Sequence, residues 1–256
     1  MKRYIALLIF CLPVYTNTLQ LSRAILASDA NQNYIQFWPI VAKAWKEIIG
    51  ITPTLALIAD ADVEIDESLG DVIRFTPLPN IPTSLQAQVI RLLLPACFPD
   101  DGCIISDIDM IPLNKRYFLE SISECADNAF IVYRDKGYKN GKRFPMCYNA
   151  AKGSTFQEIF SINSLEQIAE KIKAWHAKNL GWHTDELILT ATVNDWAKKT
   201  KRCIKLGHTT EKRIDRSSWK YDKTLLKKGI YIDCHMPRPY EKYKHSIDTI
   251  ITILSN

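Results

Sequence analysis

Three short apolar runs constrain this chain more than any other feature. Residues 22–28 (SRAILAS), 53–59 (PTLALIA) and 103–106 (CIIS) each stop at a carboxylate: Asp29, Asp60 and Asp107. Runs that are apolar throughout, without alternation, suit strands buried on both faces, as in a parallel sheet. Between them lie helical patterns. Phe37, Ile40, Val41, Ala44, Trp45 and Ile48 recur at spacings of three and four, which predicts a helix over 34–49 closed by Gly50. A second helix is expected over 84–97 with Ser84 as its N-cap. Residues 72–75 form a third strand ahead of a turn rich in proline (Pro77, Pro79, Pro82). This alternation predicts an α/β domain with a mostly parallel central sheet flanked by helices. Ligands bind beyond the carboxyl ends of such strands, so the acidic strand ends predict one shared binding edge.

Beyond Asp109 the pattern is less regular. Strands are expected over 129–133 and 230–232, a strand or turn over 145–151, and helices over 164–178 and 184–199, the last capped by Thr184. No repeat or linker divides residues 22–256, which read as one domain. With 47% hydrophobic residues, the chain holds enough apolar material for one full core, which excludes a disordered chain. At the N-terminus, Lys2 and Arg3 precede an apolar stretch over 4–15. Residues 1–21 therefore read as a signal peptide or short anchor, or as an arm packed on the core. Location stays open between cytoplasm, membrane surface and secretion. Any membrane association is expected only through this segment, because no apolar run reaches the roughly 18 residues of a spanning helix.

A net charge of +5 is too weak to predict nucleic-acid binding and suits a modest anionic ligand. The densest basic stretch, 198–213, reads as a solvated face. Seven cysteines without CxxC or zinc spacing read as mostly free thiols, with a Cys97–Cys103 bridge left open.

Asp107-Ile108-Asp109 is the leading chemical candidate. Two carboxylates flanking one residue at a strand exit can share a hard divalent cation, Mg²⁺ or Mn²⁺, and such an ion neutralises a departing phosphate. The spacing alone is weak evidence, because Asp60-Ala61-Asp62 repeats it. Context separates the two. The 107/109 pair ends a buried run and is followed by Met110-Ile111-Pro112-Leu113, whereas 60/62 leads into the acidic Val63-Glu64-Ile65-Asp66-Glu67.

The block SLQAQVIRLLLPACFPDDGCIISDIDMIPL (84–113) resembles the core of metal-dependent glycosyltransferases of the A-type fold, closest in pattern to the glycogenin and bacterial galactosyltransferase-like members. Arg91, Leu92 and Pro95 match the Arg-Leu-x-x-Pro that precedes the Asp-x-Asp strand of that family. Three further blocks are similar: Asn149 in CYNAAKGSTF, Thr184 to Leu189 (TDELIL), and Asp233 to Tyr240 (DCHMPRPY). Glu186 departs from the family pattern, standing where Gln is usual, and this leaves inversion or retention open. The resemblance implies a nucleoside-diphosphate sugar as donor and a carbohydrate or other hydroxyl as acceptor. It implies Asp107, Asp109 and His235 as metal ligands. Ala27, Ser28 and Asp29 would lie under the nucleobase. Read from the residues alone, Tyr34 either stacks on that base or packs on the core, and the 60/62 pair reads first as a solvated loop, with Asp60 touching base or ribose as the other reading. Arg91 would bind the donor or orient Asp107, and Asn149 would face the donor sugar or acceptor. Arg238 and Lys242 would support the diphosphate. Asp185 and Glu186 would be the carboxylates facing the acceptor hydroxyl, with Trp182 as a stacking platform for a sugar. Two alternatives stand beside this reading: a module that binds a nucleotide sugar without transfer, and another metal-dependent nucleotidyl or phosphoryl transferase. The latter would need a glycine-rich phosphate loop after the first strand, and ASDANQNYIQF has no glycine.

Overall fold

A computed structural model describes residues 17–138, 141 and 143–255. Most of the stretch read as a signal or anchor, residues 1–16, lies outside the described residues. Residues 17–20 run as an arm along the loop at 125–127: Leu19 N donates to Cys125 O at 2.8 Å and Asp127 N to Asn17 O at 2.9 Å.

The elements in chain order are β1 (Leu21–Asp29), α1 (Gln32–Ile35), α2 (Trp38–Ala44), β2 (Thr52–Ile58), β3 (Asp71–Phe75), α3 (Thr83–Ile90), β4 (Gly102–Ile105), β5 (Met110–Pro112) and α4 (Lys115–Leu119). There follow β6 (Phe130–Val132), β7 (Asn149–Lys152), α5 (Gly153–Phe160), α6 (Glu166–His176), α7 (Thr184–Thr200), β8 (Cys203–Lys205), β9 (Arg213–Asp215), α8 (Lys223–Lys227), β10 (Asp233–His235) and α9 (Tyr240–Ser255). Seven strands form one sheet in the order β3-β2-β1-β4-β7-β6-β8, and β5-β10-β9 form a small second sheet. Strands β3, β2, β1 and β4 pair in parallel, and β7 runs antiparallel to both neighbours. The domain is therefore α/β with a mostly parallel central sheet flanked by helices, as the alternation of patterns predicts.

The strand runs are apolar throughout because the sheet is covered on both sides. Along β1, Ala24 and Leu26 enter one core cluster while Ile25 and Ala27 enter the other. Leu55 and Leu57 oppose Ala56 and Ile58 in the same way along β2. This is the two-residue period of a strand with no solvent face. Gly102 lets β4 approach β1, since a Cβ there would fall 1.9 Å from Gln20 O.

Several local expectations are corrected. The helix expected over 34–49 is three pieces: α1, α2, and a wider turn over Trp45–Ile49. Pro39, at the start of α2, has no N–H to donate back into a preceding turn, so the helix restarts there. Gly50 does close the unit, at φ 90°. The helix over 84–97 starts instead at Thr83 after Pro82 and ends at Ile90, followed by a tight turn at Leu94–Cys97 that contains Pro95. Ser84 is therefore not its N-cap. Thr184 also lies inside its helix, where its hydroxyl donates to Gly181 O at 2.6 Å. The late strand is Asp233–His235, three residues past the predicted one. Cys97 and Cys103 are both free. Among the described residues, no helix is long and apolar enough to cross a membrane.

Candidate active site

The strand order reverses direction at β1, which has β2 and β3 on one side and β4 on the other. Chain crossovers diverge at such a point and leave a crevice beyond the strand ends. A cleft of about 360 Å³ opens there. Ala27, Ser28 and Asp29 at the end of β1 line it, as do Tyr34 on α1, Arg91 after α3, and Asp107 and Asp109 after β4. Trp182, Asp185 and Glu186 at the start of α7, with His235 at the end of β10, complete the part predicted from sequence.

Four predicted residues stand apart from the lining. Asp60 is exposed beyond β2, one strand away from the reversal. Asn149 is fully buried, and its Nδ2 donates to Pro145 O at 2.8 Å and Met146 O at 2.7 Å, which shapes the wall of the cleft from behind. Lys242 is exposed on α9, its ammonium 5.3 Å from the centre of the Tyr243 ring. Arg238 stacks on Tyr34, with Cζ 4.5 Å from the ring centre, and so borders the cleft through its neighbour.

Two acidic centres divide the floor. In the first, buried Arg91 pairs with Asp107 through Nη1 and places Nη2 3.2 Å from Asp185 Oδ2. Burial opposes the guanidinium charge, and the two carboxylates outweigh it. For Asp185 burial prevails over Arg91 and pushes its carboxyl up to about 6. Next to it Glu186 accepts from the Tyr138 hydroxyl through Oε1, and its Oε2 lies 3.3 Å from Arg143 Nη1 and 3.5 Å from His183 Nδ1. Burial and then Glu186 drive the Tyr138 phenol well above its usual range.

The second centre is built by the small sheet. His235 pairs with Met110 across β5 and with Asp215 across β9, which sets its imidazole beside Asp109. Alternation along β9 and β10 turns Ile214 and Cys234 into the core and leaves Arg213, Asp215, Asp233 and His235 on the other face. Asp109 Oδ2 lies 3.0 Å from Arg216 Nη1 and 3.5 Å from His235 Nε2; His235 Nδ1 lies 3.5 Å from Asp215 Oδ2. Burial would raise the Asp109 carboxyl, but His235, Arg216 and Arg238 together hold it below the usual range.

Beneath this centre Asp233 is fully buried and takes Arg134 Nη1 at 2.8 Å, Arg213 Nε at 3.1 Å and the Tyr148 hydroxyl at 2.8 Å. Burial pushes this carboxyl up, yet the two guanidiniums outweigh it and bring it down to about 2. Arg213 also lines the cleft. The basic stretch read as a solvated face thus ends in a largely buried cation.

Among the described residues, no three His, Cys, Asp or Glu side chains already converge on one metal position. The donor chemistry nevertheless suits a divalent ion. Asp109 Oδ2 and His235 Nε2 are separated by about the distance of two ligands each roughly 2.0–2.3 Å from one ion. The opposite nitrogen of His235 faces a carboxylate, as the second nitrogen of metal-bound imidazoles does. Asp107 lines the same cleft but is engaged by Arg91.

Arg213, Asp215, Arg216, Tyr138, Arg143 and His183 are absent from the sequence-based set. His183 has a local signal, its i,i+3 spacing to Glu186; the others meet partners 20 to 107 residues away, which no local spacing announces.

No known family model and no curated protein matches the chain. Solved structures do. It is similar to the galactosyltransferase LgtC in complex with donor and acceptor sugar analogs, at 13% identity and a TM-score of 0.50, over 91% of this chain and 95% of that one. An active-site mutant of LgtC matches over the same shares at 12% identity, also with a TM-score of 0.50. The apo-form glycosyltransferase GlyE of Streptococcus pneumoniae TIGR4 is similar over 93% of this chain and 63% of its own, at 12% identity and a TM-score of 0.50. At such identities the likeness carries the fold: the chain has the architecture of A-type glycosyltransferases.

Proposed function

We propose that this chain is a glycosyltransferase that moves a sugar from a nucleoside-diphosphate sugar to an acceptor hydroxyl, with Mn²⁺ or Mg²⁺ held by Asp109, His235 and Asp107. The observation that carries the reading is the pairing of Asp109 with His235 at the strand-order reversal, in a cleft also lined by Asp107 and Asp185. The nucleobase would lie over Ala27, Ser28 and Asp29, against Tyr34. Arg238, stacked on Tyr34, brings a positive charge toward the diphosphate. The bound ion supplies charge neutralisation at the leaving group. Arg91, already shared between Asp107 and Asp185, positions these two carboxylates. Asp185, held up near 6, is matched to accept a proton from the acceptor hydroxyl near neutral pH. Trp182, 65% exposed at the lip, offers a flat face to the acceptor sugar.

The test is release of nucleoside diphosphate from a panel of nucleoside-diphosphate sugars, with and without Mn²⁺. Metal-independent turnover, or full activity in Asp109→Ala, would sink the reading. Engagement of both Asp107 and Asp109 by arginines favours a second reading, a module that binds the donor without transfer. Calorimetric binding of a nucleoside diphosphate with Mn²⁺, without turnover of any donor, would select it.

A further inference from the structure

We infer that Asp215 and Arg216, neighbours in one turn, act on the cation site in opposite senses. Asp215 fixes His235 so that Nε2 is the ligating nitrogen, and Arg216 competes with the cation for Asp109. This rests on the metal-binding part of the function proposed above.

The two oxygens of Asp215 have different partners. Oδ1 accepts from Ser217 N at 2.9 Å and Ser217 Oγ at 2.6 Å, which pins the carboxylate to its own turn. Oδ2 faces His235 Nδ1. A proton held on Nδ1 toward that oxygen leaves the lone pair on Nε2, directed at Asp109. The β9–β10 register places Asp215 directly opposite His235, so the arrangement is built into the backbone pairing.

Arg216 takes the other role. Its Nη1 sits 3.0 Å from the Asp109 oxygen that also faces His235, a place where a bound cation would need to be. Its side chain is 34% exposed, so it has solvent to swing into, unlike Arg91 at 9%. The guanidinium therefore balances the charge of Asp109 and would have to swing away for Asp109 and His235 to hold a cation. With one side open to water, Arg216 leaves Asp109 more readily than Arg91, enclosed at 9%, leaves Asp107.

Isosteric variants separate these roles from simple damage to the turn. Asp215→Asn keeps the Oδ1 acceptor for Ser217 and removes the acceptor for Nδ1–H. Arg216→Gln keeps a polar side chain and removes the charge. Mn²⁺ binding is read on the full chain from the electron paramagnetic resonance signal of the free ion. Asp215→Asn is expected to weaken Mn²⁺ binding about 10- to 100-fold, and Arg216→Gln to tighten it about two- to fivefold. Damage to the turn would move both variants the same way. If the wild type binds Mn²⁺ and Asp215→Asn binds it equally well, or Arg216→Gln binds it no more tightly, the inference is overturned. If the wild type binds no Mn²⁺, the metal reading itself has failed.

Discussion

The chain carries two Asp-x-Asp motifs, and the structure gives them opposite surroundings. Asp60 and Asp62 follow β2, both exposed, and neither carboxylate has an ion-pair or hydrogen-bond partner among the described residues. Asp107 and Asp109 follow β4, and each meets an arginine, with His235 and Asp185 close behind. The motif is identical; its place relative to β1 differs. β4 and β2 both flank β1, but only the β1–β4 side gathers chain from the rest of the molecule: the start of α7 on one flank and the small sheet on the other. At the strand-order reversal the carboxylate pair meets arginines and an imidazole from other elements, whereas beyond β2 the same spacing meets none among the described residues.

The most direct attempt to break this comparison is to remove one carboxylate from each motif. Asp109→Ala is expected to lower kcat/KM for transfer about a thousandfold or more, which is about 4 kcal/mol. Asp60→Ala and Asp62→Ala should stay within about twofold, as surface changes away from a site do. Equal losses in the two motifs would dissolve the distinction. A second experiment separates the cleft from the ion cluster beneath it. Asp233→Ala leaves Arg134 and Arg213 without their buried counter-ion and is expected to lower unfolding free energy by about 3 kcal/mol or more in urea titration. Asp109, which faces the cleft, should cost far less stability than activity.

The sequence revealed the central sheet because its strands obey one simple rule, apolar residues on both faces, and their ends fall at the reversal. It did not reveal the small sheet. Its strands are three residues long, β9 and β10 carry Arg213, Asp215, Asp233 and His235, and the apolar pattern marks only a late strand three residues before β10. Two helix errors had a visible signal: Pro39 and Pro95 each lie inside a run that the apolar spacing alone treats as continuous. Asn149 shows the limit of motif matching, since its amide is consumed by the carbonyls of Pro145 and Met146, while Asp60 lies exposed beyond β2, as the solvated-loop reading of the 60/62 pair expects.

Acidity sharpens the contrast further. Asp185 is the cleft carboxylate that burial pushes up, to about 6. Its folded pKa stands above the unfolded value near 3.9, so protonation favours the folded state. Its contribution is fully present below pH 4 and is lost as pH rises through 6. Relative to Asp185→Asn, the wild type should therefore lose up to about 3 kcal/mol of stability between pH 4 and pH 7, at 1.36 kcal/mol per unit. Urea titrations of both proteins across this window read the difference. Parallel curves would mean that Arg91 holds Asp185 ionised throughout.

Trp182 offers the smallest effect and the finest discrimination. It sits 65% exposed on the turn before α7, with Leu180 and Leu187 also exposed nearby in sequence. An indole held in the core would cost several kcal/mol to truncate; one so open to water contributes little to folding. Trp182→Ala should leave unfolding free energy within about 0.5 kcal/mol. Loss of one aromatic stacking face is worth about 1 kcal/mol, so KM for the acceptor should rise about fivefold. KM for the donor, whose predicted contacts lie across the cleft at β1, should not move. A rise in donor KM instead would place the donor on the α7 side and reverse the assignment of the two ends of the cleft.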